Sequence, residues 1–287
     1  MPRFLKKELR MKDYGISLQR QGHIAVITLD RPAKQNALDQ QMWDCLDKVV
    51  ADLKCSLPRV IVLTGAGDKT FCAGFDVNPE NPLLKPLLAA MEGHDKGPAY
   101  DLIHRIRTST DSLVSLPVPI IAAINGLAYG GGAEIASRCD LRVMDPRAVI
   151  CFSEVRLGLM PDHGGVVGLT HLVGASRAAD LILTARKVGA EEAFQLGLTN
   201  RISASGKALE EALSLALSIA QNGPRAVRHA LSVIRKTGDL TTQEALELET
   251  EEAVTLIASG ESIHGVSAFL TRQKPDFPEP GESNDTR

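Results

Sequence analysis

The residues best suited to chemistry stand together in Gly130-Gly131-Gly132-Ala133-Glu134, after the apolar stretch Ile120-Ile121-Ala122-Ala123-Ile124 and the turn that begins at Asn125-Gly126. Three consecutive glycines leave bare backbone that a ligand oxygen can approach closely. If Ala133 and Glu134 open a helix, the amides at its start have no internal partners, and the helix dipole favours negative charge there. Glu134 then sits within about one turn of those amides. An acid beside free N–H donors suits a reaction in which an oxyanion grows while a proton moves. The competing reading is a tight packing turn that only glycine fits. A second acid, Glu154, follows twenty residues on, and Asp162-His163 lies just beyond it. Glu154 also reads as a surface carboxylate paired with Arg156. His163, whose ring could titrate near neutrality, also reads as a structural or solvated side chain.

Other chemistries lack their residues. There is no G-x-S-x-G for a serine hydrolase, no H-E-x-x-H and no close His/Cys cluster for a metal. Gly65-Ala66-Gly67 lacks the third glycine of a dinucleotide loop, and no P-loop lysine follows the glycine triplet. Two carboxylates could serve a glycosidase, but three Tyr and one Trp leave little for stacking sugars. A net charge of −3 without a large basic run argues against nucleic acid. Five cysteines with no C-x-x-C spacing read as free thiols in a reducing compartment. No apolar signal segment or membrane span is recognisable, so a cytoplasmic protein with no membrane partner is expected.

The elements that must position these residues follow from pattern. His23 to Leu29 and the short β-branched run Val60-Ile61-Val62-Leu63 read as strands, the latter buried and parallel. Asp39 can cap a helix carrying Met42, Leu46, Val49, Val50 and Leu53 on one face. Residues 78–100, broken by Pro79, Pro82, Pro86, Gly93, Gly97 and Pro98, read as a long irregular insert holding one or two helical turns, and as a lid beside the site. Asp101 to Leu116 reads as a helix and Ile120 to Ile124 as a buried strand. Short strands Leu141–Val143 and Ala148–Ile150 follow, then helical spacing from Val166 to Leu183. Leu209, Leu213, Ala216, Leu217 and Ala220 share a helix face, Pro224 can begin the next helix, and Thr241 with Glu244 forms a capping box. With 44% apolar residues the chain can fill a sizeable core. The expected division is a loose arm over 1–14, an α/β core over 15–200, a helical region over 201–277 and a disordered tail over 278–287.

Four segments stand in a telling order: Arg31-Pro32 with Asn36-Ala37-Leu38; Phe71-Cys72-Ala73-Gly74-Phe75-Asp76; Pro119 through Glu134; and Leu157-Gly158 with Pro161-Asp162-His163-Gly164-Gly165. Together they resemble the crotonase (enoyl-CoA hydratase/isomerase) superfamily, from about Tyr14 to Phe277. Ala190-Glu191-Glu192-Ala193 with Gly197-Leu198-Thr199-Asn200 is similar to the family's later segment. The resemblance implies a ClpP/crotonase-like spiral of ββα units with a helical C-terminal trimerisation part, assembled as a homotrimer or a hexamer of paired trimers. It also implies an acyl-CoA thioester substrate, with coenzyme A as part of that substrate and no other cofactor or metal.

By motif position, the resemblance assigns the backbone amides of Phe75 and Gly131 to an oxyanion hole for the thioester carbonyl. Ala37, Ala73, Asp76 and Val77 fall where the family wraps coenzyme A; plain turn structure is the alternative. Glu134 and Glu154 match the two acids of family hydratases. Dienoyl-CoA isomerases of the family instead pair the positions of Glu154 and Asp162 but carry Asp at the position of Glu134. Asp162 therefore reads either as half of a proton-shuttling pair or, the preferred reading, as the cap of the helix after it. Phe152 and Phe75 read as acyl-pocket walls or as ordinary core. Hydration of a 2-enoyl-CoA, or the reverse dehydration, is the expected reaction. Double-bond isomerisation is the runner-up, and a catalytically silent acyl-CoA-binding protein is the reading from another class.

Overall fold

The computed structural model describes Glu8, Leu9 and residues 14–280. Most of the expected N-terminal arm, and residues 281–287 of the expected tail, lie outside the described residues. The chain opens with β1 (Glu8–Leu9), β2 (Ile16–Gln21) and β3 (Ile24–Leu29), then α1 (Gln40–Cys55). Asp39 caps α1, its side chain accepting from the Met42 amide at 3.0 Å. Next come β4 (Val60–Gly65), β5 (Thr70–Cys72), α2 (Leu84–Glu92) and α3 (Gly97–Val114). The third stretch is β6 (Ile120–Ile124), β7 (Leu127–Tyr129), α4 (Gly131–Arg138), β8 (Leu141–Met144) and β9 (Val149–Cys151).

Seven strands form one sheet in the order β1-β2-β3-β4-β6-β8-β11, where β11 is Arg201–Ile202. It is antiparallel across β1 to β3 and parallel from β3 onward. A second sheet has the order β10-β9-β7-β5, with β10 at Val188–Gly189. The chain therefore steps between the sheets in pairs, β4 then β5, β6 then β7, β8 then β9. Helices follow the pairs, which is the expected ββα repetition.

β4 from Val60 to Leu63 and all of β6 are apolar because both faces of their sheet are covered. Ile61, Leu63, Ile120, Ala122 and Ile124 join the main core with Trp43, Leu46 and Phe71. The alternate residues Val60, Val62, Ile121 and Ala123 face α8 (Ala208–Ala220), meeting Ala212, Ala216 and Ala220. The expected leucine face of α8 is thus displaced. Alanines at every fourth position bring its backbone close to the sheet, and Leu217 stays 54% exposed. α8 and β11 pack into the sheet, so the region from residue 201 shares its core with the strands.

Other elements depart from expectation for local reasons. The helix expected over 166–183 is two helices, α5 (Gly165–Val173) and α6 (Ala175–Thr184), broken at Gly174 with φ +80°. The 78–100 insert carries α2 and the first turn of α3, since Pro98 fits a helix start. After α7 (Ala190–Gln195) and α8 come α9 (Pro224–Lys236), α10 (Thr242–Ala258) with the expected capping box, and α11 (Glu261–Thr271). The tail does not loosen at Pro278: Arg59 donates to the Phe277 carbonyl and pairs with Glu279, which also meets His23. Among the described residues no single helix is long and apolar enough to cross a membrane. α10 and α11 pass such a test only together, across a 72° bend.

Candidate active site

The site is built where the ends of β4 to β7 are tied together. Asn125, after β6, accepts from the Gly65 amide at 3.2 Å and donates to the Gly65 and Gly67 carbonyls, both at 2.9 Å. Buried Asn36, with φ +54°, donates to the Ala66, Thr70 and Phe71 carbonyls and accepts from the Arg31 amide. These two asparagines hold the turns around the glycines. Their polar atoms are spent on main chain, which is a fold-specific role that residue type alone does not reveal.

The glycine triplet serves packing as well as access. A Cβ on Gly132 would lie 2.2 Å from the Cys72 carbonyl oxygen, so β5 ends directly against it. The helix α4 begins at Gly131, two residues earlier than the pattern suggested, and the Gly131 amide is the first of the helix. A Cβ on Gly74 would lie 2.8 Å from the Gly131 nitrogen, so the turn after β5 backs onto that amide. Phe75 is the next residue. Its neighbours make the ladder bonds of a parallel bridge to Leu38, through the Gly74 carbonyl and the Asp76 amide, which turns the Phe75 amide to the other side.

Phe75, Gly131, Glu134, Glu154 and Asp162 line one cavity of about 590 Å³, with Ala73 and Val77 on its rim side. Leu84, Leu87 and Ala90 of α2 and Leu102, Ile103 and Ile106 of α3 supply an apolar wall, so the 78–100 insert borders the cavity. Asp76 lies in a neighbouring cleft with Arg31 and Lys34. Its carboxylate pairs with Arg31 at 2.6 Å and accepts from the Asn78 amide at 3.0 Å. Burial opposes its charge, but Arg31, the Asn78 amide and Lys34 hold the carboxyl below the usual range. The Ala37 carbonyl accepts from the same Arg31 at 3.2 Å. Phe152 is packed in the main core, whereas Phe75 faces the cavity.

The two glutamates have unlike surroundings. Glu134, 1% exposed, accepts two amide donors on Oε2, from His163 at 2.8 Å and Gly165 at 2.9 Å. Glu154 sits in a short 3-10 turn after β9, its Oε1 facing Gly130, and neither of its oxygens receives a hydrogen bond from another described residue. Burial pushes Glu154 up to about 8; its own amide pulls the other way, and the nearby charge of Glu134 adds to the rise.

Asp162 does not cap the following helix. The cap position of α5 is Gly164, and the amide of Gly165, the first of the helix, goes to Glu134 instead. Asp162 Oδ1 meets His163 Nε2 at 3.0 Å. His163 is buried rather than solvated, with Trp43 of α1 edge-on at 5.8 Å. Glu134, Asp162 and His163 crowd together, yet one Glu134 oxygen is taken by amides and one imidazole nitrogen by Asp162. One ligand atom of each residue lies within 4.8 Å of the others. His163 was legible as a titratable side chain but not as part of the site, because turns carry no periodicity to say which way a side chain faces.

Known proteins share this architecture. The profile of the enoyl-CoA hydratase/isomerase family matches residues 19–280. The chain is 32% identical over 261 residues to the short-chain-enoyl-CoA hydratase of Clostridium acetobutylicum, covering 91% of this chain and 96% of that one. It is 34% identical over 272 residues to an enoyl-CoA isomerase/hydratase of Zymoseptoria tritici, covering 89% and 84%. The crystal structure of an enoyl-CoA hydratase from Bacillus anthracis superposes with a TM-score of 0.83 at 31% identity, over 92% of this chain and 98% of that one. With a match of that extent, and two sheets linked by the repeated strand pairs described above, the chain belongs to the crotonase (enoyl-CoA hydratase/isomerase) superfamily and has its fold.

Proposed function

We propose that this protein hydrates a 2-enoyl-CoA to a 3-hydroxyacyl-CoA, or runs the reverse dehydration, with Glu134 and Glu154 as its acid–base pair. The observation that carries the reading is the unlike setting of two acids on one cavity: Glu134 with two amide donors, Glu154 with none and its proton retained to about 8. Water held between them adds its oxygen to Cβ and passes a proton to Glu134, while Glu154 delivers its proton to Cα. The thioester oxygen carries the enolate charge meanwhile, against the amides of Phe75 and Gly131. A water that enters between the two acids relays the proton from Glu134 back to Glu154 and restores both groups.

Ala73 and Val77 guide the thioester arm, and Ala37 and Asp76 shape the adjoining cleft for the rest of coenzyme A. The reaction needs no metal and no redox cofactor. The exposed apolar side chains of α10 and α11 support assembly into trimers or paired trimers, and a cytoplasmic enzyme is the working assignment. A second reading, isomerisation by Glu154 and Asp162, is supported by the place of Asp162 on the same wall. Against it, one Asp162 oxygen is already engaged by His163. The test is a panel of 2-enoyl-CoA and 3-enoyl-CoA substrates. Hydration of the former supports the proposal. Isomerisation without hydration favours the second reading, and coenzyme A binding without turnover would leave a binding protein.

A further inference from the structure

His163 touches Glu134 from two directions. Its amide donates to Oε2 at 2.8 Å, and its ring nitrogen Nδ1 faces Oε1 at 3.8 Å. Nδ1 has no hydrogen-bond partner among the described residues, although the side chain is only 4% exposed. The other ring nitrogen is fixed by Asp162 at 3.0 Å. The ring edge also backs onto the glycine turn: a Cβ on Gly131 would lie 2.7 Å from His163 Cε1 and 3.0 Å from Nδ1. Behind it, Arg138 donates to the His163 carbonyl at 2.9 Å and pairs with Asp111 of α3, and the Trp43 ring meets the imidazole edge-on.

The titratable groups facing His163 are therefore Glu134 from α4, Glu154 from the 3-10 turn, Asp162 from its own loop and Arg138, whose charge Asp111 offsets. α1 contributes only the neutral indole. Three carboxyl groups converge on one imidazole. We propose that His163 is a positioning residue for hydration: with Nε2 clamped by Asp162, its imidazolium holds Glu134 Oε1 in place while its own amide holds Oε2, and its ring braces the Gly131 turn. This rests on the hydration reading above. Geometry gives the ring two anionic neighbours at its nitrogens, where a neutral imidazole could donate to only one of them. Burial alone would lower the affinity of His163 for its proton, but the Asp162 hydrogen bond and the carboxylate charges outweigh it and raise that affinity above the ordinary histidine value. The working form is then present below the raised value and is lost as pH rises through it.

Trp43 is the only tryptophan in the chain, so its emission is a built-in reporter of the ring beside it. A protonated imidazole in contact with indole quenches its fluorescence. The experiment titrates Trp43 emission in the wild-type protein and in Asp162→Asn, Glu134→Gln and His163→Gln, and measures kcat and KM for a short 2-enoyl-CoA across the same pH range. Emission should rise in one step as His163 loses its proton. The midpoint should fall in Asp162→Asn and in Glu134→Gln, and the step should vanish in His163→Gln. His163→Gln should lower kcat by about 10- to 100-fold with KM little changed, the pattern of a misplaced catalytic group. A midpoint that ignores both neighbouring substitutions, a step that survives His163→Gln, or wild-type kcat in His163→Gln overturns the proposal. If His163→Gln fails to fold, the two neighbouring variants still decide through the emission midpoint. Failure of the wild-type protein to hydrate any 2-enoyl-CoA would defeat the hydration reading instead, and the emission arm would still establish whether the imidazolium forms.

Discussion

Replacing Glu154 with glutamine should cost activity and add stability, and the two effects should carry different pH dependences. Glu154 keeps its proton up to about 8, against an ordinary value of 4.5. Near pH 7 roughly nine-tenths of the folded molecules therefore hold the acid ready to protonate Cα. Glutamine preserves shape but has no acidic proton, so hydration should fall by about 10²–10⁴-fold. The unfolded chain ionises this residue from about 4.5 upward, while the folded chain does not until about 8. Between those values the folded state binds more protons, so wild-type stability declines as pH rises through the window. Removing the group removes that decline. Allowing for an oxygen that borders a solvent-reachable cavity, Glu154→Gln should be more stable than wild type by on the order of 2–3 kcal/mol at pH 8, and by little at pH 4.5. Urea unfolding at the two pH values measures the difference, and loss of the conjugated enone absorbance measures hydration. Turnover within about threefold of wild type, or an equal stability gain at both pH values, refutes the reasoning.

Glu134→Gln should lose hydration to a similar extent, about 10²–10⁴-fold, whereas Asp162→Asn should be mild at neutral pH, within about tenfold. The reverse ranking, read with 2-enoyl- and 3-enoyl-CoA on the same variants, would replace hydration by isomerisation. Gly131→Val should abolish turnover with the far-UV circular dichroism retained, since its Cβ would stand 2.7 Å from His163 Cε1 and 3.5 Å from Gly74 Cα; an active valine variant would defeat the oxyanion-hole assignment. Light scattering should give the mass of three or six chains, and Phe269→Asp on α11, at a ring now 81% exposed, should dissociate them. A monomeric wild-type protein would rule this assembly out.

Strands with both faces covered were the most legible elements, because Val60 to Leu63 and Ile120 to Ile124 are too short for helices and too apolar for an exposed sheet. Caps were legible too, at Asp39 and Thr241, where one side chain and one amide decide the matter locally. What failed depended on neighbours far along the chain. The alanine face of α8 is chosen by the sheet it must approach, not by its leucines. The cap of α5 comes from Glu134, some thirty residues upstream, so another element performs the task that local pattern gives Asp162. Residues 277–279 are held by Arg59, more than two hundred residues earlier. Periodicity carries no information about such pairings. In the site, the glycine triplet and the two glutamates were legible by position, but His163 became part of it only through the turn that buries its ring.

The same long-range pairing explains why two glutamates of identical chemistry end in different states. α5 begins at Gly164-Gly165, which offer no side chain to receive the first amides of the helix. Glu134, projecting from the first turn of α4, receives the His163 and Gly165 amides on one oxygen. That bond joins α4 to α5 and orients the carboxylate at the same time, so the geometry of this acid is maintained by the folding of both helices. Glu154 emerges from a 3-10 turn after β9, with Oε1 beside Gly130 but accepting no hydrogen bond from it. The fold supplies it no donor, and burial keeps it protonated to about 8. Its hydrogen bonds must come from what enters the cavity. On the proposed hydration, a water or a thioester Cα arriving between the two meets one acid already fixed as an acceptor and one still holding a proton to give.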